Sequence, residues 1–268
     1  MLAAAVLTAL LALPTRRAAC QVAVAAAAAW QQRGTSAAAA NPSITLVQGS
    51  GTDGRTYGVT ECGPSLPRAV IGSDPALERV ELALTLRNGY LQDPPSIDGL
   101  AHLCEHVTLA ADPADLNGFI EERVGALNAF TAEETTTFHL EFDVDGDPRT
   151  EVGDVCRRFA ALFDSRLTSV ALVRQELPRI HAEWDAFERA PARTALELAA
   201  LKQRTDAANG WRRLGRGNAG TMPLIEASSL ARAVDEQRSA TYALGDATLA
   251  LTSPLPLVEA AQLLCAAF

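Results

Sequence analysis

The chain is short of aromatic residues, of histidine and of basic runs, and each scarcity narrows its function. Aromatics make up 5% of its 268 residues, and histidines number four. Lys and Arg total 23 against 32 Asp and Glu, with no long basic stretch, which argues against nucleic acid as a partner. The apolar run at residues 2–13 is too short to span a bilayer, so no stable membrane span is expected. The first 52 residues hold no acid at all, only Arg16, Arg17 and Arg33, which leaves 20 basic and 32 acidic residues, a net of −12, for the rest. Paired cysteine spacing is also missing. Cys20, Cys62, Cys104, Cys156 and Cys265 are odd in number and scattered, a pattern that predicts no disulfide framework and a reducing compartment.

The Ala-rich, acid-free leader has three readings: a secretory signal core, a mitochondrial transit peptide, or a low-complexity extension. Cytoplasmic or mitochondrial residence is favoured, with secretion as the other reading. Residues 1–41 are therefore set aside, and 42–268 are treated as one domain. Within it, residues 80–86 alternate as a half-buried strand does, 44–47 is a short apolar run, and 69–72 reads as a shorter strand. Segments 127–130 and 135–144 read as two strands joined in a hairpin through 132–134. Helices are expected at 97–110 with Ser96 as N-cap, at 114–124, at 152–163, and from Thr168-Ser169 to about Arg204. A loop at 211–220, a helix at 230–242, a strand at 247–252 and a helix at 255–267 complete the chain. No internal repeat and no regular βαβ rhythm appear. The expected class is α+β, an antiparallel or mixed sheet with helices packed on one face.

What the chain does have is His102-Leu-Cys-Glu-His106, which takes two of its four histidines. On a helix, His102 and His106 lie one turn apart on one face, a spacing that lets two imidazoles share a zinc ion. Glu105 projects near that face, where a carboxylate can act as general base on a water. The order H-x-x-E-H is the inverted form of the commoner H-E-x-x-H. Cys104 points away from the stripe and reads as a packing residue. A catalytic zinc needs a third protein ligand. The long helix offers Glu176, His181, Glu183 and Asp185. Glu176 and Glu183, two turns apart, face the same way, and spacing alone does not choose between them.

Four segments, in order, carry a family resemblance. Asp93-Pro-Pro-Ser-Ile-Asp-Gly-Leu-Ala-His-Leu-Cys-Glu-His106 resembles the zinc segment of the pitrilysin/insulinase family, its insulysin branch in particular. Gly125-Ala-Leu-Asn-Ala-Phe-Thr131, the Glu176–Glu183 helix, and Leu214-Gly-Arg-Gly-Asn218 resemble three further family motifs. The resemblance implies the metallohydrolase fold of that family and a zinc metalloendopeptidase with one zinc per chain. It implies that His102, His106 and Glu183 bind the metal, that Glu105 activates water, and that Glu176 tunes the site from behind. Asn128, Ala129 and Phe130 would form an edge strand pairing with an extended peptide substrate. His139 and His181 read as ordinary packing or surface residues.

This sequence also departs from the family. Residues 107–113 lack the usual aromatic, Gly- and Lys-bearing loop, and Pro178 interrupts the glutamate helix. Active relatives are longer or pair two chains around a chamber. The implied partners are thus a peptide and a second pitrilysin-type domain or subunit. The alternative expectation is a non-catalytic or partner-dependent half, or a fragment.

Overall fold

A computed structural model describes residues 44–47, 54–63, 65–163, 168–190, 195 and 215–268. Its strands are β1 (Ile44–Val47), β2 (Thr56–Glu61), β3 (Arg68–Ser73), β4 (Arg79–Leu86), β5 (Ala126–Thr131), β6 (Thr136–Asp143) and β7 (Thr248–Ser253). Its helices are α1 (Leu100–Ala111), α2 (Leu116–Glu121), α3 (Pro148–Ala161), α4 (Val170–Glu188), α5 (Ala227–Thr241) and α6 (Leu257–Ala267). The strands form one sheet in the order β1-β2-β3-β7-β4-β6-β5. Every neighbouring pair is antiparallel except β3 and β7. The α+β class with a mixed sheet is as the sequence predicts.

Alternation decides which face of the sheet is covered. On β4, Val80, Leu82, Leu84 and Leu86 are buried, while the residues between them are half-buried. Their partners across β6 (Phe142, Leu140 and Phe138) and β7 (Leu251 and Leu249) are buried too. This apolar layer packs beneath the helices, and each such side chain contributes about 1.5–3 kcal/mol by leaving water. Helix α1 lies in the middle of the layer. Leu100, Ala101, Leu103, Cys104 and Val107 are all buried, and so are His102, Glu105 and Thr108, so the helix is enclosed on most of its circumference.

Several elements differ from expectation. Strand β2 has no counterpart in the sequence reading, because Gly58 breaks its apolar alternation. The predicted helix at 114–124 shrinks to Leu116–Glu121. Helix α4 ends at Glu188 with Arg189 as C-cap, and most of the predicted extension to Arg204 lies outside the described residues. Pro178 sits inside α4 without ending it.

The cysteine expectation is corrected. Cys62, just past β2, is disulfide-bonded to Cys265 in the last turns of α6. The two lie 203 residues apart, so no local spacing could announce the pair. Packing of α6 against β1, β2 and β3 brings them together. In the chain-entropy account, a link of this span stabilises by about 5 kcal/mol. Cys104 and Cys156 are free and buried, as packing residues are.

No helix among the described residues is long and apolar enough to cross a membrane.

Candidate metal centre

The start of α1 is set by two devices. Asp93 is buried, and its carboxylate accepts the backbone N–H groups of Gly99 at 2.8 Å and Ala101 at 2.7 Å. Asp93, not Ser96, thus satisfies the first free N–H groups, with Gly99 as N-cap. Gly99 has φ +93°, and a Cβ there would lie 2.4 Å from the Cα of Gly217. Glycine at both positions lets loop 215–220 press against the helix start. That close approach delivers the Arg216 carbonyl to His102 Nδ1 at 2.8 Å.

A carbonyl only accepts, so His102 Nδ1 donates and its Nε2 lone pair is left to point outward. His106 Nδ1 meets Glu176 Oε2 at 3.3 Å, which aims its Nε2 the same way. The rings stand edge to face, 4.7 Å between centroids. Glu176 is buried at 2% exposure. It also receives Gln175 Nε2 at 3.1 Å, and Arg179 Nη1 at 2.8 and 3.1 Å.

Glu183, half-exposed, faces both imidazoles from α4. Its Oε2 is 3.4 Å from His102 Nε2, and its Oε1 is 3.5 Å from His106 Nε2. A tetrahedral zinc with bonds of about 2.0–2.1 Å sets its ligand atoms roughly 3.3–3.4 Å apart. The observed separations match, and both histidines have the outer hydrogen bond that metal ligands usually carry. The residues present fit a zinc ion. Contacts with His102 first, then His106, hold the Glu183 carboxyl well below the usual carboxylate range. Burial alone would lower the His106 pKa, but Glu183, Glu105 and Glu176 outweigh it and raise the value.

His102, Glu105 and His106 also offer ligand atoms within 4.8 Å of one another, a group that could hold a metal ion. Glu105 differs from Glu183 in what it does with its oxygens. It is buried, and its Oε2 accepts the Thr131 hydroxyl at 2.6 Å. Burial raises its pKa, opposed by His102 and Thr131. Burial also pushes the Cys104 thiol up, which disfavours a thiolate ligand.

Asn128, Ala129 and Phe130 lie on β5, an edge of the sheet. The Ala132 N–H bonds the Thr135 carbonyl, which closes the hairpin. Alternation along the ladder then turns the N–H and carbonyl of Ala129 away from β6, off the edge. That N–H meets the side-chain oxygen of Asn128 at 2.8 Å. His139 pairs across from Asn128 on β6, and His181 bonds the Met222 carbonyl.

The structure thus brings together every residue that the sequence assigned to the metal, to the base and to its support. Sequence reasoning missed the roles of Asp93, Thr131 and the Arg216 carbonyl. The first two stand inside quoted motif segments, so the signal was present without a partner to explain it. A backbone carbonyl leaves no side-chain signal.

Fold and site define a peptidase-type α+β domain with the inverted histidine–glutamate motif. The family model described as Insulinase (Peptidase family M16) matches residues 68–220, and the chain belongs to that family. It is 30% identical over 152 residues to Insulin-degrading enzyme of Mus musculus, covering 53% of this chain and 14% of that protein. It is 29% identical over 205 residues to Coenzyme PQQ synthesis protein F of Pseudomonas aeruginosa, covering 75% of this chain and 25% of that protein. Among solved structures, pitrilysin superposes with TM-score 0.72 at 22% identity, over 85% of this chain and 24% of that one. A Pseudomonas fluorescens domain described as an inactive peptidase M16 domain superposes at 0.62 and 14% identity, over 84% of this chain and 50% of that one. The chain therefore spans about a quarter or less of the curated relatives it matches. The similar proteins include both peptidases and a domain described as inactive.

Proposed function

We propose that this chain is a zinc metalloendopeptidase domain that hydrolyses bonds in extended peptides. The observation that carries the reading is the approach of Glu183 to both Nε2 atoms at the spacing a tetrahedral ion requires. His102, His106 and Glu183 would hold one zinc. When bound, zinc supplies Lewis-acid chemistry, acidifying a water and polarising a peptide carbonyl.

The chain's own residues do the rest. Glu105 takes a proton from the attacking water and returns one to the leaving amine. Glu176 keeps His106 in the tautomer and orientation that a ligand needs. The substrate backbone lies along β5 and pairs with the outward groups of Ala129, replacing the Asn128 contact, while Phe130 flanks it on the same edge. Main-chain pairing makes few sequence demands, which suits a peptidase acting on extended chains.

The test is Glu105→Gln in the zinc-loaded protein with an internally quenched peptide. Turnover should fall by about 100-fold or more while zinc remains bound. Undiminished turnover would remove Glu105 from the reaction.

A second reading is a metal-bearing domain that acts only together with a second domain of the family, since the similar proteins extend well beyond the matched part. Under it, the chain binds one zinc without turnover, and a second domain of the family restores activity.

A further inference from the structure

We propose that Thr131 is a positioning residue for Glu105, held in place by the pairing of β5 with β6. This rests on the reading of Glu105 as the base, but its geometry stands on separate observations. The Thr131 hydroxyl donates to Glu105 Oε2 at 2.6 Å. An ionised carboxylate only accepts, so the single Thr131 proton has one direction to take there. Glu105 is 5% exposed, so few waters are available to substitute for that donor.

The donor is itself fixed. Thr131 ends β5 directly across from Thr136 of β6, and the two hydroxyl oxygens lie 3.1 Å apart. The Thr136 hydroxyl donates to the Asn88 carbonyl. Thr136 and Asn88 are both fully buried. The Asn88 side-chain oxygen accepts Gln237 Nε2 of α5 at 2.9 Å. The protons of Thr131 and Thr136 are thus both committed, to Glu105 and to Asn88, and the ladder of β5 on β6 holds Thr131 where its hydroxyl meets the carboxylate. A glutamate has three side-chain torsions, and a base displaced by an ångström loses much of its effect. The hydroxyl holds Glu105 against the β5 edge, beside the bond to be cut, without touching metal or substrate.

Thr131→Val removes the hydroxyl at nearly constant shape, and Thr131→Ser keeps it. With peptide substrate, the valine variant should lose about 10- to 100-fold in kcat with KM little changed, and serine should restore most of it. Zinc affinity by chelator competition should stay within about threefold of wild type, since all three ligands are intact. Thr131→Ala replaces the valine if that variant fails to fold. A crystal structure of the variant supplies a readout independent of turnover: Glu105 should leave its single rotamer in the valine protein and keep it in the serine protein. An unmoved Glu105, or a serine variant as impaired as the valine one, overturns the proposal. Should the wild-type chain bind zinc yet cleave nothing, the peptidase reading fails, and the crystallographic comparison still decides the positioning role.

Discussion

Asp93 stands three residues before Ser96, the side chain that local sequence rules choose to cap α1, and it does the work instead. Its two short bonds to Gly99 and Ala101 fix the first turn of the helix that carries both histidines. Asp93→Ala should therefore destabilise the domain by about 2 kcal/mol, read as a lower urea midpoint at unchanged slope. A midpoint equal to wild type would show that the first turn holds without it. At this scale the sequence was informative where chemistry is local. Two imidazoles one turn apart, with a glutamate between them, are legible because helical spacing translates directly into proximity. Glu183 was not chosen by spacing, since Glu176 shares its face of the helix; the family resemblance made that choice. The structure separates the two by depth: Glu176 is buried behind His106, and Glu183 is half-exposed in front of both rings. Depth comes from how α4 docks on α1, which no local pattern records.

Strand β5 is the element on which substrate recognition depends in this account. It sits at the end of the sheet order, with the backbone groups of Ala129 turned outward. Ala129→Pro removes an N–H that β6 does not use, so the hairpin should survive, as proline does at edge positions. Zinc should still bind, and kcat/KM for an extended peptide should fall by about tenfold or more, mainly through KM. Unchanged kcat/KM would mean the substrate does not pair there. The hairpin of β5 and β6 was visible in the sequence because residues 135–138, just after a short turn, are rich in β-branched and aromatic side chains. Strand β2 was not, since Gly58 supplies no side chain to the pattern and the strand is recruited by pairing with β3. The shortening of the 114–124 helix has a similar cause. Val124 has φ +51°, and Gly125 bonds back to the Ile120 carbonyl, so the chain leaves the helix before its apolar spacing ends.

At the scale of the molecule, the site is assembled from α1, α4, β5 and the loop at 215–220, segments spread over more than a hundred residues. The α+β class was readable from the mixture of periods, but the crossing of β7 between β3 and β4 was not. Nor was the Cys62–Cys265 link, which depends on α6 returning to the opposite end of the sheet from β5. In the proposed function, one metal ion ties these parts together. Zinc K-edge absorption spectroscopy of the reconstituted chain addresses that claim directly. The account predicts one zinc per chain, a shell of nitrogen and oxygen at about 2.0–2.1 Å, outer scattering from two imidazoles, and no sulfur at about 2.3 Å. Less than stoichiometric zinc, a sulfur ligand, or a single imidazole would contradict it.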